Sequence, residues 1–212
     1  MSTLANDVPL IYLITDGLLT DQNFHEESGR TINTIQLAIA ARISLVQIRE
    51  KRLSGKNVFN LTHQVVGLAR GSRTEVFVND RADIAAAAGA DGVQLTEDSL
   101  PVPVIRKVFP DLLVGASTHS SGAVTAAAAA GADFAVFGPV FETHGKEGFQ
   151  GLEKLRTACR AAGKMPLVAI GGIDATNYLE VLATGARGFA AIRFLNNAQN
   201  LSKIKEMLES PA

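Results

Sequence analysis

Three stretches of this chain repeat one local design: AAAAGADGVQL at 85–95, AAAAGADFAVF at 127–137 and LATGARGFAAI at 182–192. In each, small residues suited to close helix-to-strand packing lead to a glycine able to take the left-handed conformation that ends a helix, and a short apolar strand follows. The remaining sequence fits the same alternation. Residues 10–15 form an apolar strand broken by Asp16 and Gly17, residues 18–30 read as a long polar loop, and Ile32, Ile35, Ile39 and Ile43 mark the face of a helix. Strands at 45–48 and 76–78 flank a helix carrying Val58, Leu61, Val65 and Leu68, and 112–116 and 167–170 complete a set of eight strands, each followed by a segment able to form a helix. Regular βα alternation with right-handed crossovers implies a parallel sheet, and eight units close into an α/β (β/α)8 TIM barrel. An open doubly wound sheet would gather its polar residues near one switch point, whereas here the strand ends at 15, 49, 80, 95, 117, 138, 171 and 192 all carry polar or glycine residues, as a ring of loops does. The expectation is one barrel domain over residues 1–212.

Composition narrows the partners. Hydrophobic residues make up 47% of the chain, charged residues 19%, and the net charge is −1, which leaves no electrostatic footprint for nucleic acid or an anionic membrane. Cys159 is the only cysteine, so neither a disulfide framework nor a thiolate metal cluster is available. The opening MSTLANDVPL lacks the basic start and apolar core of a signal peptide, and no apolar run approaches the roughly 20 residues of a membrane span. A cytoplasmic enzyme of small molecules is the expectation; nothing in the sequence sets the oligomeric state, and a homo-oligomer stays open.

The seventh strand ends in chemistry. In PLVAIGGIDAT, residues 166–176, a continuous apolar run stops at Gly171 and Gly172. A glycine pair at the carboxyl end of a buried strand lets backbone approach a ligand closely and turns N–H groups toward an anion; the other reading is an ordinary tight turn. In a barrel the carboxyl ends of all strands share one mouth. There the second strand brings Gln47, Arg49 and Lys51, the third Asn79 and Asp80, the fourth Glu97 and Asp98, the fifth Ser117 and His119, and the loop after the sixth Thr143 and Lys146. Two cations near one or two carboxylates, facing a glycine-held phosphate, suit a diphosphate substrate with a divalent metal such as Mg²⁺. Taken alone, Arg49-Glu50-Lys51 would read as a solvated charge run, but the convergence of five strand ends on compatible chemistry reverses that reading.

Taken together, YLITD, QIREK, VNDR followed by ADGVQL, GAST with His119 next, FGPVFET with a lysine three residues on, and AIGGI with Asn177 resemble thiamine phosphate synthases and their relatives the thiazole tautomerases, from about Leu10 to Phe194. The resemblance implies a reaction in which an aminopyrimidine methyl diphosphate ionises, Mg²⁺ and cations hold the leaving diphosphate, and a thiazole phosphate captures the pyrimidine cation through its ring nitrogen. It also implies roles. Gln47, Arg49, Lys51 and Asn79 would hold the pyrimidine diphosphate, Asp80 would bind the metal, Ser117 would contact the pyrimidine side, and Thr143 and Lys146 would reach the diphosphate and thiazole. Gly171, Gly172 and the backbone around Ile192 and Arg193 would hold the thiazole phosphate.

Three positions depart from the family pattern. Where the family has HLGQED after the fourth strand this chain has QLTEDS, so Ser99 stands at the second metal carboxylate and Asp98 lies one residue early as the substitute. Gly145 replaces a threonine before the lysine, and Arg193 replaces a serine. The tautomerase branch is resembled by the QL after strand four, by FPDLLVGAS with the following HS, and by VFET followed by KEG. Its acid/base histidine after the FG of strand six is Pro139 here, the synthase choice, which leaves His119 and His144 as other proton carriers. The reading is therefore synthase first, tautomerase second, and a non-catalytic binder of thiazole phosphate third.

Overall fold

A computed structural model describes residues 3–5, 8–143 and 148–209. Eight strands close into a parallel barrel in sequence order: β1 Leu10–Ile14, β2 Leu45–Ile48, β3 Glu75–Asn79, β4 Gly92–Leu95, β5 Leu113–Thr118, β6 Phe134–Phe137, β7 Leu167–Ile170 and β8 Gly188–Ala191, with β8 pairing back onto β1. Between them run α1 Phe24–Ala40, α2 Gly55–Ala69, α3 Ala82–Ala88, α4 Val102–Val108, α5 Ser121–Ala129, α6 Gly151–Ala162 and α7 Tyr178–Leu182, and α8 Ala198–Glu209 follows β8. β1, β2, β4, β6 and β8 are buried along their whole length, because helices cover the outer face and side chains fill the inner one.

The repeated corner forms as its sequence predicts. Gly89, Gly131 and Gly185 sit at φ +74°, +87° and +94°, where a Cβ is strained. Two of the three corners also tie the next strand to its neighbour: Asp91 Oδ2 accepts the Val76 N–H at 2.7 Å and Asp133 Oδ2 accepts the Val114 N–H at 2.6 Å. At the third corner Arg187 takes the aspartate's place, and its carbonyl accepts the Leu10 N–H that starts β1.

Inside the barrel, Leu10, Tyr12, Ile14, Leu45, Phe77, Phe134, Val136, Val168 and Ala190 form one apolar cluster. Its middle is an aromatic trio. Tyr12, Phe77 and Phe134 meet edge to face with ring centroids 5.3–6.0 Å apart, the arrangement that aligns ring edges with ring faces. Glycines make the space: a Cβ on Gly92 would run into the Phe77 ring, and one on Gly115 into Phe134 and the Gln94 amide. Large rings on some strands opposite glycine on others is how a narrow barrel is packed without voids.

Three local expectations are corrected. The polar stretch 18–30 is not all loop, since α1 begins at Phe24; Glu26, Glu27 and Arg30 face solvent on its first turns and hide the helical period. The buried stripe of α1 is Phe24, Thr31, Ile35 and Ala38, with Ile32 and Ile39 only partly covered, because small and hydroxyl side chains occupy the closest approach to the barrel. β5 extends to Thr118, so Ser117 stands inside the barrel wall rather than beyond it.

Candidate active site

Side chains on a strand alternate between the two faces of the sheet, so Gln47 shares the inner face with Leu45 and Asn79 shares it with Phe77. Gln94 reaches Tyr12 inside the barrel, and Ser117 reaches Gln94. These four residues form a polar arc on β2 to β5, one step toward the mouth from the aromatic floor. Within it, Gln47 Nε2 donates to Asn79 Oδ1 at 3.3 Å and Gln94 Nε2 donates to Ser117 Oγ at 3.1 Å. With its oxygen engaged by Gln47, Asn79 keeps two amide N–H donors beyond that bond.

Arg49 and Lys51 follow Gln47 out of β2, and the loops around them are braced. Glu50 between them is buried, its two carboxylate oxygens accepting the N–H groups of Gly17 at 3.2 Å and Leu19 at 3.0 Å. The triplet is therefore not a solvated charge run: its middle member clamps the β1–α1 loop. A bridge between Thr20 and Arg52, and the Arg52 guanidinium on the Gly17 carbonyl at 2.9 Å, extend the same seam. Asp21 completes it by accepting from the Ser54 N–H, the Ser54 hydroxyl and the Asn57 amide, which together hold its carboxyl below the usual carboxylate range. Arg49 and Lys51 thus project from a fixed rim, Arg49 half-buried and Lys51 exposed.

Across the barrel lies a cleft of about 850 Å³ lined by His119, Thr143, Gly171, Gly172, Ile192 and Arg193 among others. Gly171 and Gly172 have φ +104° and +66°. A Cβ on Gly171 would stand 2.5 Å from Pro139 Cβ, and one on Gly172 2.7 Å from the Glu142 carbonyl oxygen, so both glycines are demanded by the β6–α6 loop seated on them as well as by their own backbone. Two asparagines then remove carbonyl oxygens that would repel an anion: Asn177 Nδ2 donates to the Gly172 carbonyl at 2.9 Å, and Asn196 Nδ2 to the Ile192 carbonyl at 2.8 Å. Thr143 Oγ1 is buried in this region with no hydrogen-bond partner among the described residues. His119 Nδ1 is hydrogen-bonded to the Gly138 carbonyl, which fixes the ring and leaves Nε2 facing elsewhere. Lys146, expected to join this cleft, lies outside the described residues, as do His144 and Gly145.

At the fourth corner of the mouth, Asp80 is exposed at φ +63° with its N–H on the Gln94 carbonyl at 2.9 Å. A non-glycine residue in that conformation costs about 1–3 kcal/mol and concentrates at functional sites. Ser99 Oγ accepts the Thr96 N–H at 2.7 Å and closes its own turn, which leaves Glu97 and Asp98 exposed at the turn's tip. Among the described residues no group of three or more His, Cys, Asp or Glu comes together as a protein-only metal site. The nearby Arg81 is committed to Asp83, with Nε–Oδ1 2.8 Å and Nη2–Oδ2 2.5 Å, and hydrogen bonding lowers the Asp83 carboxyl below its usual range.

Against known proteins, residues 11–195 match the family model for thiamine monophosphate synthase. The chain belongs to this family. Thiamine-phosphate synthases from Methanoculleus marisnigri and Pyrococcus furiosus are 38% and 34% identical to it, over 86% and 93% of this chain and 85% and 92% of theirs. The solved thiamine phosphate pyrophosphorylase from Pyrococcus furiosus superposes with a TM-score of 0.79 at 31% identity, covering 96% of this chain and 98% of that one. More distant barrels, such as 3-hexulose-6-phosphate synthase at 18% identity and a TM-score of 0.68, share the fold alone.

Within this member of the thiamine monophosphate synthase family, sequence reasoning missed Glu50, Gln94, Asn196 and the part played by Asn177. Glu50 carried no signal of its own: a carboxylate between two cations gives no hint of its loop partners, the N–H groups of Gly17 and Leu19. Gln94 did carry one, since an amide within an apolar strand must find partners for both ends, whereas Asn196, in the turn after β8, carried none.

Proposed function

We propose that this chain is a thiamine phosphate synthase, joining an aminopyrimidine methyl diphosphate to a thiazole phosphate with release of diphosphate. The observation that carries the reading is the pairing of two anion-suited regions across one mouth: Arg49, Lys51, Asn79 and Ser117 on the β2–β5 side, and the glycine pair with Arg193 on the β7–β8 side. The first region suits a diphosphate leaving group, because cations and N–H donors stabilise the charge that grows on it. Gln47, Asn79 and Ser117 would orient the pyrimidine. Gly171, Gly172, Ile192 and Arg193 would take the thiazole phosphate, with Thr143 and Lys146 between the two. Exclusion of water by the closed barrel floor keeps a pyrimidine cation available to the thiazole nitrogen.

Asp80 and Asp98 would supply hard carboxylate oxygens, with no third acidic, histidine or cysteine ligand gathered beside them among the described residues, a donor set that fits a magnesium ion completed by substrate oxygens and water. Such an ion would neutralise charge on the diphosphate. The whole chain, residues 1–212, acts as one catalytic domain in this reading. A cytosolic setting fits its single cysteine, Cys159, a half-buried thiol whose pKa burial pushes up.

His119 in the cleft favours a second reading, the tautomerase, in which a histidine moves a proton on a bound thiazole phosphate carboxylate. Pro139 argues for the first. Purified protein incubated with the pyrimidine diphosphate, thiazole phosphate and Mg²⁺ should form thiamine phosphate and diphosphate in equal amounts; proton exchange on the carboxylated thiazole phosphate without coupling would select the tautomerase instead.

A further inference from the structure

The polar arc contains a chain of three groups that run inward from the mouth: Ser117, Gln94 and Tyr12. Gln94 Nε2 lies 3.1 Å from Ser117 Oγ and 3.5 Å from the Leu95 carbonyl oxygen, while Oε1 lies 3.3 Å from the Tyr12 hydroxyl. The neighbouring carbonyl decides the amide's orientation. The opposite orientation would set Oε1 facing the Leu95 carbonyl oxygen at 3.5 Å, two acceptors with no proton between them, so the NH₂ end is assigned to Ser117. The oxygen end then needs a donor, and the Tyr12 hydroxyl is that donor. Burial pushes the Tyr12 hydroxyl well above its ordinary value, so near neutral pH it carries its proton. Gly115 belongs to the same device, since a Cβ there would collide with Gln94 Oε1.

The consequence falls on Ser117. Its oxygen accepts from Gln94, and its proton has no acceptor among the described residues. We propose that Gln94, oriented by Tyr12, is a positioning residue that makes the Ser117 hydroxyl a hydrogen-bond donor to an acceptor atom of the substrate bound over the polar arc. This deepens the synthase reading and rests on it: the bound pyrimidine diphosphate presents a lone pair that the Ser117 hydroxyl meets, and an analogue lacking that acceptor loses the hydrogen bond.

The test is a double-mutant cycle in steady-state coupling and in calorimetric affinity for the pyrimidine diphosphate, with Gln94→Leu, Ser117→Ala and the double variant. If Gln94 acts through Ser117, each single change lowers kcat/KM for the pyrimidine substrate about 10- to 100-fold. The double variant is then no worse than the poorer single one, and KM for thiazole phosphate is unmoved. Gln94→His, whose neutral ring can donate at one nitrogen and accept at the other, restores most of the loss. Multiplying losses in the double variant, or wild-type kinetics in Gln94→Leu, would overturn the proposal. Should Gln94→Leu fail to fold, Tyr12→Phe decides: a specific fall in kcat/KM for the pyrimidine substrate supports the relay, and unchanged kinetics reject it. A wild-type protein that forms no thiamine phosphate is a different failure, that of the synthase reading itself, and is seen before any variant is made.

Discussion

Replacing Gly172 with alanine separates two reasons for a glycine that are usually confounded. At φ +66° a side chain costs roughly 1–2 kcal/mol from its own backbone. The added Cβ would also stand 2.7 Å from the Glu142 carbonyl oxygen and 2.8 Å from Phe141 Cβ, so the β6–α6 loop must lift, which adds about 1–3 kcal/mol of overpacking. Gly89 provides the control, because its φ is +74° but its Cβ would meet nothing closer than Val66 Cγ1 at an ordinary 3.9 Å. Gly89→Ala should therefore show the backbone cost alone, and Gly172→Ala should exceed it by about 1–3 kcal/mol, or about 2–12 °C in Tm for a chain of this size. Without tryptophan in the sequence, unfolding is best followed by circular dichroism. Calorimetric titration with thiazole phosphate should show about tenfold or greater weakening in Gly172→Ala and wild-type affinity in Gly89→Ala, since Gly89 lies at the far rim of the barrel. Equal stability losses in the two variants would refute the close-approach argument, and wild-type phosphate affinity in a folded Gly172→Ala would remove the glycine pair from the site.

Three further outcomes follow from the same geometry. Arg49→Lys keeps the charge but loses the planar fork, and it should lower kcat about 10- to 100-fold with little change in thiazole phosphate affinity, as should Lys51→Ala; full turnover in both would leave them as rim charges. Asp80→Asn should abolish Mg²⁺-dependent diphosphate release while the fold survives, because asparagine tolerates the left-handed conformation as well as aspartate does; activity that persists in excess chelator would sink the metal assignment. The Asp21 carboxyl is lowered in the folded state by the Ser54 N–H, the Asn57 amide and the Ser54 hydroxyl. Its stabilising contribution is thus complete above the ordinary aspartate value and is lost as pH falls through the lower folded one. Urea unfolding measured from about pH 6 down to about pH 3 should show a shallower acid loss in Asp21→Asn, and parallel curves would mean the carboxylate does not act at all.

Much of the barrel was legible because its signals are local. The glycines at 89, 131 and 185 each state the end of a helix within a few residues, and the buried strands announce themselves as unbroken apolar runs. The start of α1 was hidden because its first turns face water on most sides, so Phe24 stood alone among polar neighbours. At the site, residue types at strand ends were readable, whereas their partners were not: the Tyr12–Gln94 hydrogen bond spans 82 residues and the Glu50 clamp 33 and 31, distances over which periodicity carries no information. Ser99 shows the same limit from the other side. Its position in the motif suggested a missing ligand, but its hydroxyl is used to close a turn.

Tyr12, Phe77 and Phe134 plug the barrel interior beneath the polar arc. Through Tyr12 the same plug holds the Gln94 amide, and Gly115 leaves room for both Gln94 and the Phe134 ring. A change of ring size in the trio is therefore never a change of core volume alone. It shifts the polar side chains that rest on it, so stability and the shape of the inner wall vary together and cannot be tuned one at a time.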